Sequence, residues 1–334
     1  MRQITYSQAF VEGLDTCMRR MRNFSLVGNE VMGLGPHRVH LEKIWKTYPD
    51  RVRFPPTSEA AFSALAAGAA MSGEHVFCHL GAASFSYLSM TSIANEAATA
   101  HYASGGKIKV PVVFHMLHGL RIGGGTQHSV SPQAMYWNVP GLQIVLPASA
   151  RDAKGLVTSA GMSDNPTVMF THDLLIGTEG GVPEGDYEIP FGRADIKRRG
   201  RDVTVVATSW MVQVALQAAQ VLADEGIDVE VLDPRTLVPF DRRSLIASVA
   251  KTGRLVVADE THLSCGVAAE ISAIAAEHAF QYLKAPIVRV ARPDVPTPFS
   301  RPLEDFITPT SGKIADAVRR VTGKRRGAKR SSVR

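Results

Sequence analysis

A chain of 334 residues is too long for one ordinary hydrophobic core and suits two domains of ordinary size. With 45% hydrophobic and 20% charged residues it has a globular composition, and it lacks the apolar run of roughly 18 residues that a membrane helix needs. Six of the 37 basic residues lie in the last twelve positions, so the net charge of +6 belongs to the tail and a basic, nucleic-acid-binding body is excluded.

Short β-branched runs alternate with helical stretches along the first half of the chain. Ser58 begins an alanine-rich helix, and Ser149 and Asp152 have the spacing of a capping box at the start of another. Alternation of this kind predicts a parallel sheet with helices on both faces. We predict buried strands at Phe24–Gly28, His75–Leu80, Val110–Met116, Leu142–Pro147 and Thr167–Thr171.

Residues 174–201 interrupt the alternation, because they are rich in glycine, proline and charge, and a second α/β unit follows them. We predict two doubly wound α/β domains, 1–185 and 202–323, joined by a linker at 186–201. The basic tail at 324–334 is predicted to be disordered and solvated, the alternative being contact with nucleic acid or an acidic partner. In the second unit, strands are expected at Val203–Ser209, Asp228–Asp233, Arg254–Asp259 and Pro286–Ala291, and helices at Met211–Gly226 and Gly266–Phe280.

The cysteines and the N-terminal sequence indicate a cytoplasmic protein. Cys17, Cys78 and Cys265 are an odd number, lie far apart and form no C-x-x-C pair, which argues against disulfides and a thiolate zinc site. We expect three buried or half-buried thiols. The first residues lack the charged-then-apolar pattern of a signal peptide.

Two stretches have the residue types of acid–base chemistry. The glycines Gly123–Gly125 precede His128, and glycines let a backbone adopt positive φ or pass close to a ligand. A loop after a strand is where an acid–base histidine would lie, although a lone histidine is more often a hydrogen-bonded structural group. Glu59 begins the apolar helix, either as a solvated first-turn acid or as a carboxylate at the rim of a buried pocket.

Other motifs are absent from the sequence. The glycines are not followed by G-K-[S/T], so they form no P-loop, and Gly33–Arg38 is no dinucleotide fingerprint. His75 and His79 are predicted on one face of a strand, and His115 and His118 form a second pair close together in the sequence. They lack the acidic or thiol neighbours that a transition-metal site needs.

Strings distributed from about Ile4 to Thr322 together resemble one family, the beta subunits of the thiamine-diphosphate-dependent decarboxylating component of 2-oxo acid dehydrogenase complexes. They include "LVGNEV", "PTSEAAFSALAAGAAMSG", "TQHSVSPQAMYWNVPGLQIVLPASARDAKGL", "VLDPRTLVPFD" and "PDVPTPFS". The resemblance implies a pyrimidine-binding domain followed by a transketolase C-terminal-type domain. It also implies an alpha2beta2 heterotetramer whose alpha subunit holds Mg²⁺ and the diphosphate through a G-D-G…N motif that this sequence lacks.

The resemblance also implies roles for particular residues. Glu59 falls on the glutamate that hydrogen-bonds the aminopyrimidine ring of the cofactor, and Phe85 on an aromatic residue that stacks on that ring. His128 falls on a histidine near the reacting atoms. Phe85 is otherwise an ordinary core aromatic. Some relatives bind a structural potassium ion through backbone carbonyls, and the matching positions are Val112, Ala160, Gly161, Ser163 and Asn165.

The sequence departs from the family pattern on the expected substrate side. Asn29 replaces an acid and Glu30 keeps the next one, which puts the polar channel between paired active sites in doubt. Phe54 replaces an aspartate before "PPTSE". The stretch "HLGAAS" replaces an aromatic-rich run, and "HMLHGLRIGGG" a more polar segment. These changes suggest an unusual 2-oxo acid or acyl acceptor.

The implied function is decarboxylation of a 2-oxo acid and transfer of the acyl unit to a lipoyl-type acceptor on a partner acyltransferase, by an enzyme active only with its alpha subunit. Two alternatives stay open. One is the C-terminal half of a split transketolase-like ketol transferase, which the strings "DAKGL" and "RTLVPFD" disfavour. The other is a non-catalytic assembly subunit, disfavoured by the presence of Glu59, Phe85 and His128.

Overall fold

The computed structural model describes residues 1–28 and 37–324, with side chains from His40 onward in the helix that begins at His37. The chain divides into two compact units. The first consists of Met1–Arg193, Arg235–Asp241 and Pro296–Phe306; the second consists of Ala194–Pro234, Arg242–Val295 and the chain from Ile307. Two short segments from late in the sequence thus belong to the first unit, which the composition of the chain does not indicate.

The helices and strands alternate along most of the chain. The strands are β1 (Arg2–Thr5), β2 (Phe24–Val27), β3 (Val52–Arg53), β4 (His75–Ala82), β5 (Val112–His118), β6 (Gln143–Val145), β7 (Thr167–His172), β8 (Glu179–Val182), β9 (Asp195–Arg198), β10 (Val203–Ala207), β11 (Val229–Asp233), β12 (Thr236–Val238), β13 (Leu255–His262) and β14 (Val288–Arg292).

The helices are α1 (Tyr6–Arg20), α2 (His37–Thr47), α3 (Glu59–Met71), α4 (Ala98–Ala103), α5 (Gly125–His128), α6 (Gln133–Trp137), α7 (Ala150–Gly161), α8 (Trp210–Ala223), α9 (Arg242–Thr252), α10 (Val267–Ala279), α11 (Arg301–Ile307) and α12 (Ser311–Thr322). Short 3-10 helices include Ala83–Ser89 and Asp173–Leu175, and Thr91–Ala97 is a π-helix.

The first unit is built on a seven-stranded sheet in the order β12-β6-β7-β5-β4-β2-β3. All pairs in it are parallel except β12 with β6. The central strands β5 and β7 are buried along their whole length, which is why apolar and β-branched residues predominate in them without an alternating pattern. All five strands predicted for this half are present, and the α/β fold class is confirmed.

Helices α1 and α7 pack closely in this unit because α1 has a glycine at the contact. A Cβ at Gly13 would lie 2.8 Å from the Lys154 carbonyl oxygen and 2.9 Å from the Val157 side chain. The predicted cap of α7 is present, since Ser149 Oγ accepts a hydrogen bond from the Asp152 backbone N–H at 3.2 Å. These contacts fix the first turn of α7.

The second unit has a five-stranded sheet in the order β14-β13-β10-β11-β9, parallel except for β9. Its predicted strands and both predicted helices are present; α8 ends at Ala223, three residues before the left-handed Gly226 (φ +70°). The glycine- and proline-rich residues 174–201 contain two strands. β8 pairs with β1 in the first unit, and β9 is the antiparallel edge of the second sheet.

The three cysteines differ in exposure, and the expectation of three sheltered thiols is wrong for Cys265. Cys17 and Cys78 are fully buried. Cys265 is exposed, because it lies in the tight turn between β13 and α10 with φ +53°. Burial raises the pKa of the Cys17 thiol to about 12 and also raises the pKa of Cys78.

A thiol reagent is therefore expected to separate these residues. Since the thiolate is the nucleophile, one thiol per folded chain should react with dithionitrobenzoate within minutes, and three should react in guanidinium chloride. The substitution Cys265→Ser should remove the fast phase. Rapid reaction of two thiols in the folded chain would contradict the buried positions of Cys17 and Cys78.

Within residues 1–28 and 37–324, no helix is both long and apolar enough to cross a membrane. Asn29 and Glu30, where the sequence departs from the family pattern, lie outside the described residues, and so does the basic tail beyond Lys324.

Candidate active site

Glu59 lies in the first turn of α3, the helix that follows β3 along the chain, and is only 9% exposed. Its backbone carbonyl accepts a hydrogen bond from Ser89 Oγ at 3.0 Å. Among residues 1–28 and 37–324, no group donates a hydrogen bond to its carboxylate. A carboxylate on a largely buried residue with no such donor is available to a ligand with hydrogen-bond donors.

Phe85 lies in the 3-10 helix Ala83–Ser89 and is half-buried. This helix also carries Ser89, which bonds to Glu59, so Phe85 and Glu59 are held by the same short element. Tyr136 fixes the helix from α6: its hydroxyl donates to Ser86 Oγ at 2.6 Å. Burial raises the pKa of Tyr136, which therefore remains a protonated donor at neutral pH.

His128 is the last residue of α5, a single turn that follows the three glycines, and its side chain is exposed. Each of the three positions requires glycine, for one of two reasons. Gly123 and Gly125 have φ of +72° and +62°, which L side chains rarely adopt. At Gly124 a Cβ would lie 2.8 Å from the Ser129 hydroxyl and from the Arg121 Cβ. A residue with a side chain would therefore be strained at Gly123 and Gly125 and would clash at Gly124.

The structure brings the sequence-predicted residues Glu59, Phe85 and His128 together. The Phe85 and His128 rings meet edge to face, with centroids 5.6 Å apart and planes at 80°. Glu59 is tied through Ser89 to the helix that carries Phe85. An acid, an aromatic ring and an imidazole therefore lie on adjacent elements of one unit, which is the composition needed to bind an aromatic nitrogen ring and to move protons beside it.

Two buried histidines on neighbouring strands form a hydrogen-bonded pair that the sequence did not predict. His79 and His115, on neighbouring strands in register, face each other with their Nδ1 atoms 3.0 Å apart. His115 Nε2 lies 3.0 Å from Thr171 Oγ1, which in turn lies 3.3 Å from the Tyr6 hydroxyl. Since a bond between two imidazole nitrogens needs one N–H and one lone pair, the two histidines must adopt complementary protonation states at Nδ1.

Residues that depart from the family pattern on the expected substrate side lie partly in the interior and partly on the surface. His115 and His118 are buried, and Gln133 Nε2 donates to His118 Nδ1 at 2.7 Å. These two histidines thus lie in the interior rather than on an open wall. Phe54 is 43% exposed and packs against Trp45 with ring centroids 6.1 Å apart.

Three of the five carbonyls proposed for potassium, two of them at the end of α7, already have hydrogen-bond partners. The Gly161 carbonyl accepts from His75 Nδ1 at 3.0 Å, and the Ala160 carbonyl accepts from the Ser163 N–H at 3.2 Å. The Asn165 carbonyl lies 3.4 Å from Thr167 Oγ1. Ser163 itself is half-buried, and Val112 lies in β5. Oxygen donors suit K⁺, and each carbonyl has a second lone pair.

Side chains far apart in the sequence form ion pairs and hydrogen bonds within the first unit. No local sequence pattern predicted these contacts. Arg121 pairs with Asp173 in the 3-10 helix after β7. Arg235, from the segment 235–241, bonds the fully buried Asp152 through Nε at 2.8 Å. Thr297 and Glu304, from the segment 296–306, bond to the loop that carries His128.

Comparison with known proteins places these features in context. Residues 2–178 match the pyrimidine binding domain of transketolase, and residues 192–314 match the transketolase C-terminal domain. The chain is 39% identical over 320 residues to the pyruvate dehydrogenase E1 component subunit beta of Rickettsia felis, covering 96% of this chain and 98% of that protein.

It is also 37% identical to the acetoin:2,6-dichlorophenolindophenol oxidoreductase subunit beta of Cupriavidus necator, covering 96% of this chain and 97% of that protein. Among solved structures, a split gene transketolase described as an inactive beta4 tetramer superimposes with a TM-score of 0.78. It is 24% identical and covers 97% of this chain and 99% of that chain, a likeness of fold.

Proposed function

Because this chain belongs to the transketolase family, in the branch of the beta subunits of thiamine-diphosphate-dependent 2-oxo acid dehydrogenases, we propose that it is the beta subunit of such an enzyme. The proposed reaction decarboxylates a 2-oxo acid and transfers the acyl unit to a lipoyl-type acceptor. The observation that carries the proposal is Glu59, a residue only 9% exposed whose carboxylate accepts no hydrogen bond from the described residues and which lies beside the elements of Phe85 and His128.

The residues present fit the pyrimidine end of thiamine diphosphate. When bound, that cofactor supplies a carbon nucleophile for addition to the 2-oxo acid and the electron sink for loss of carbon dioxide. Glu59 would hydrogen-bond a ring nitrogen and hold the proton at its carboxylate oxygen. Phe85 would offer an apolar ring face that keeps water from the pyrimidine. His128, exposed at the end of α5, would hold or release a proton at its imidazole.

We propose that an alpha subunit holds the diphosphate and its Mg²⁺, in an alpha2beta2 assembly. Two observations support this. The relatives named above are themselves called beta subunits. In the described parts of the chain, 1–28 and 37–324, no three His, Cys, Asp or Glu side chains come together in a way that could hold a metal ion. A lipoyl acyltransferase is the proposed acceptor, and the exposed His128 is the residue that its lipoyl group would reach.

Potassium, a cytoplasmic location and the domain boundaries are further parts of the proposal. The carbonyls of Ala160, Gly161, Ser163, Asn165 and Val112 are hard oxygen donors of the kind K⁺ takes, and the ion would be structural, so no chemical step depends on it. Three free cysteines suit a reducing compartment. We propose domains at 1–185 and 202–323 joined by 186–201.

Native mass spectrometry of the tagged chain, purified from its own host with thiamine diphosphate and Mg²⁺, tests the proposal. A heterotetramer with two bound cofactors is the expected result, and a panel of 2-oxo acids then identifies the substrate. A homo-oligomer that retains the cofactor would overturn the shared site. Turnover of sugar phosphates instead of 2-oxo acids would point to a ketol transferase, and an assembled but inactive complex to an assembly subunit.

A further inference from the structure

The segment 296–306, which we call the return segment, comes from late in the sequence but belongs to the first unit. Thr297 contacts the chain on both sides of His128. Its carbonyl accepts a hydrogen bond from Thr126 Oγ1 at 2.9 Å, and its own hydroxyl donates to the Ser129 carbonyl at 3.1 Å. Thr297 is 4% exposed, and its bond to the Ser129 carbonyl is buried, whereas the bond from the exposed Thr126 is partly open to water. They span the turn that carries His128.

Glu304, in α11 of the return segment, holds the start of the same loop. Its carboxylate accepts a hydrogen bond from the Gly123 N–H at 3.1 Å, and the residue is 3% exposed. Phe299 covers the next turn, since a Cβ at Gly125 would lie 3.4 Å from its ring. The return segment therefore touches the loop at its beginning, its middle and its end.

The loop needs such support for a physical reason. Three consecutive glycines have more backbone freedom than any other sequence, and fixing them costs more conformational entropy. The four-residue helix α5 is too short to be stable by its own hydrogen bonds. The loop has its own contacts, since Ser129 Oγ accepts from the Arg121 N–H at 3.1 Å. Those contacts close its base, whereas the bonds from Thr297 lie on either side of His128.

We propose that Thr297 and Glu304 are positioning residues that hold the loop 121–129 in the conformation that presents His128 beside Phe85. This rests on the proposed function in one respect, the assignment of His128 to the reaction. Neither residue is assigned a contact with the reacting atoms in the proposed mechanism. They act on His128 through the backbone of its loop, and they lie 171 and 181 residues from their loop partners along the chain.

The main test is Thr297→Val, which removes the hydroxyl and keeps the shape and the backbone carbonyl. In the alpha–beta complex, kcat should fall roughly five- to tenfold with KM changed less than about twofold. Amide hydrogen exchange in peptides covering 121–129 should quicken by a similar factor, while the rest of the first unit keeps its protection. Thr297→Ser, which restores the hydroxyl, should return both quantities to the wild-type values.

A matched pair of acid variants tests Glu304. Glu304→Gln exchanges a charged acceptor for a neutral one and should quicken exchange at Gly123–Gly125 by about two- to fivefold. Asp305→Asn removes the same charge one residue later, where the carboxylate pairs on the surface with Arg301, and should leave exchange in the loop unchanged.

These experiments distinguish failure of the positioning role from failure of the proposed enzymatic function. Unchanged kcat and loop exchange in Thr297→Val would overturn the positioning role. So would a loss of protection throughout the first unit, since that would mean a general structural role. If the wild-type complex has no 2-oxo acid turnover, the proposed function fails, yet the exchange measurements still decide whether the return segment holds the loop.

Discussion

Replacing Glu59 by glutamine is expected to abolish turnover of the complex with the alpha subunit while leaving assembly intact. Glutamine has the same size and can hydrogen-bond, but it carries no carboxylate to hold and release a proton at the cofactor ring. Loss of a positioned acid–base group costs roughly 10²–10⁴ in rate. Folding should change little, because losing a first-turn negative charge at the N-terminus of a helix costs only about 0.3–1 kcal/mol.

Glu74→Gln is the matched control. Glu74 is exposed just beyond the end of the same helix, so the same change of charge there should leave kcat at the wild-type value. Native mass spectrometry would show whether each variant still forms the heterotetramer, and steady-state kinetics with the best 2-oxo acid would give kcat. Full activity of Glu59→Gln in an assembled complex would remove Glu59 from the mechanism.

The largest loss of stability is expected from Arg235→Met. The side chain of Arg235 is 11% exposed, and its Nε bonds a carboxylate oxygen of the fully buried Asp152 at 2.8 Å. Removing one partner of a buried ion pair costs about 3–5 kcal/mol, because a charge then remains in the interior without its counterpart. Methionine keeps the apolar part of the side chain, so lost packing contributes little.

Thermal unfolding measures this effect. For a unit of this size, 3–5 kcal/mol corresponds to a fall in Tm of roughly 6–20 °C. Arg201→Met is the control: that arginine is 86% exposed, pairs with Asp228 on the surface, and should contribute under about 1 kcal/mol. If the two variants lowered Tm equally, the buried pair would not be what holds the segment 235–241 in the first unit.

Much of the fold follows from local patterns in the sequence. Mainly apolar runs such as Val110–Met116 predicted buried strands, and their alternation with helical stretches predicted parallel sheets. The three glycines before His128 predicted a loop with an unusual backbone, which is present at Gly123 and Gly125. In both cases the signal is local, because it depends on the backbone preferences of neighbouring residues.

The parts that escaped prediction depend on residues far apart in the chain. Asp152 and Arg235 fall in different predicted domains, 1–185 and 202–323, yet they form one ion pair. Thr297 has no sequence signal of a role at His128, because a hydroxyl finds its partners only when the topology brings them together. The bond between His79 and His115 likewise needs the register of β4 against β5.

The pairing of β12 with β6, which makes β12 the edge strand of the sheet, has a consequence for synthesis of the protein. β6 ends at Val145 and β12 begins at Thr236, so at about 5–20 residues per second the ribosome leaves this sheet edge open for roughly 5–18 s. An open edge exposes unpaired N–H and C=O groups to other nascent chains. The loop that carries His128 gains its hydrogen bonds with Thr297 and Glu304 later still, because these residues are translated after β12. The unit that starts first along the chain is thus completed only after most of the second unit has been translated.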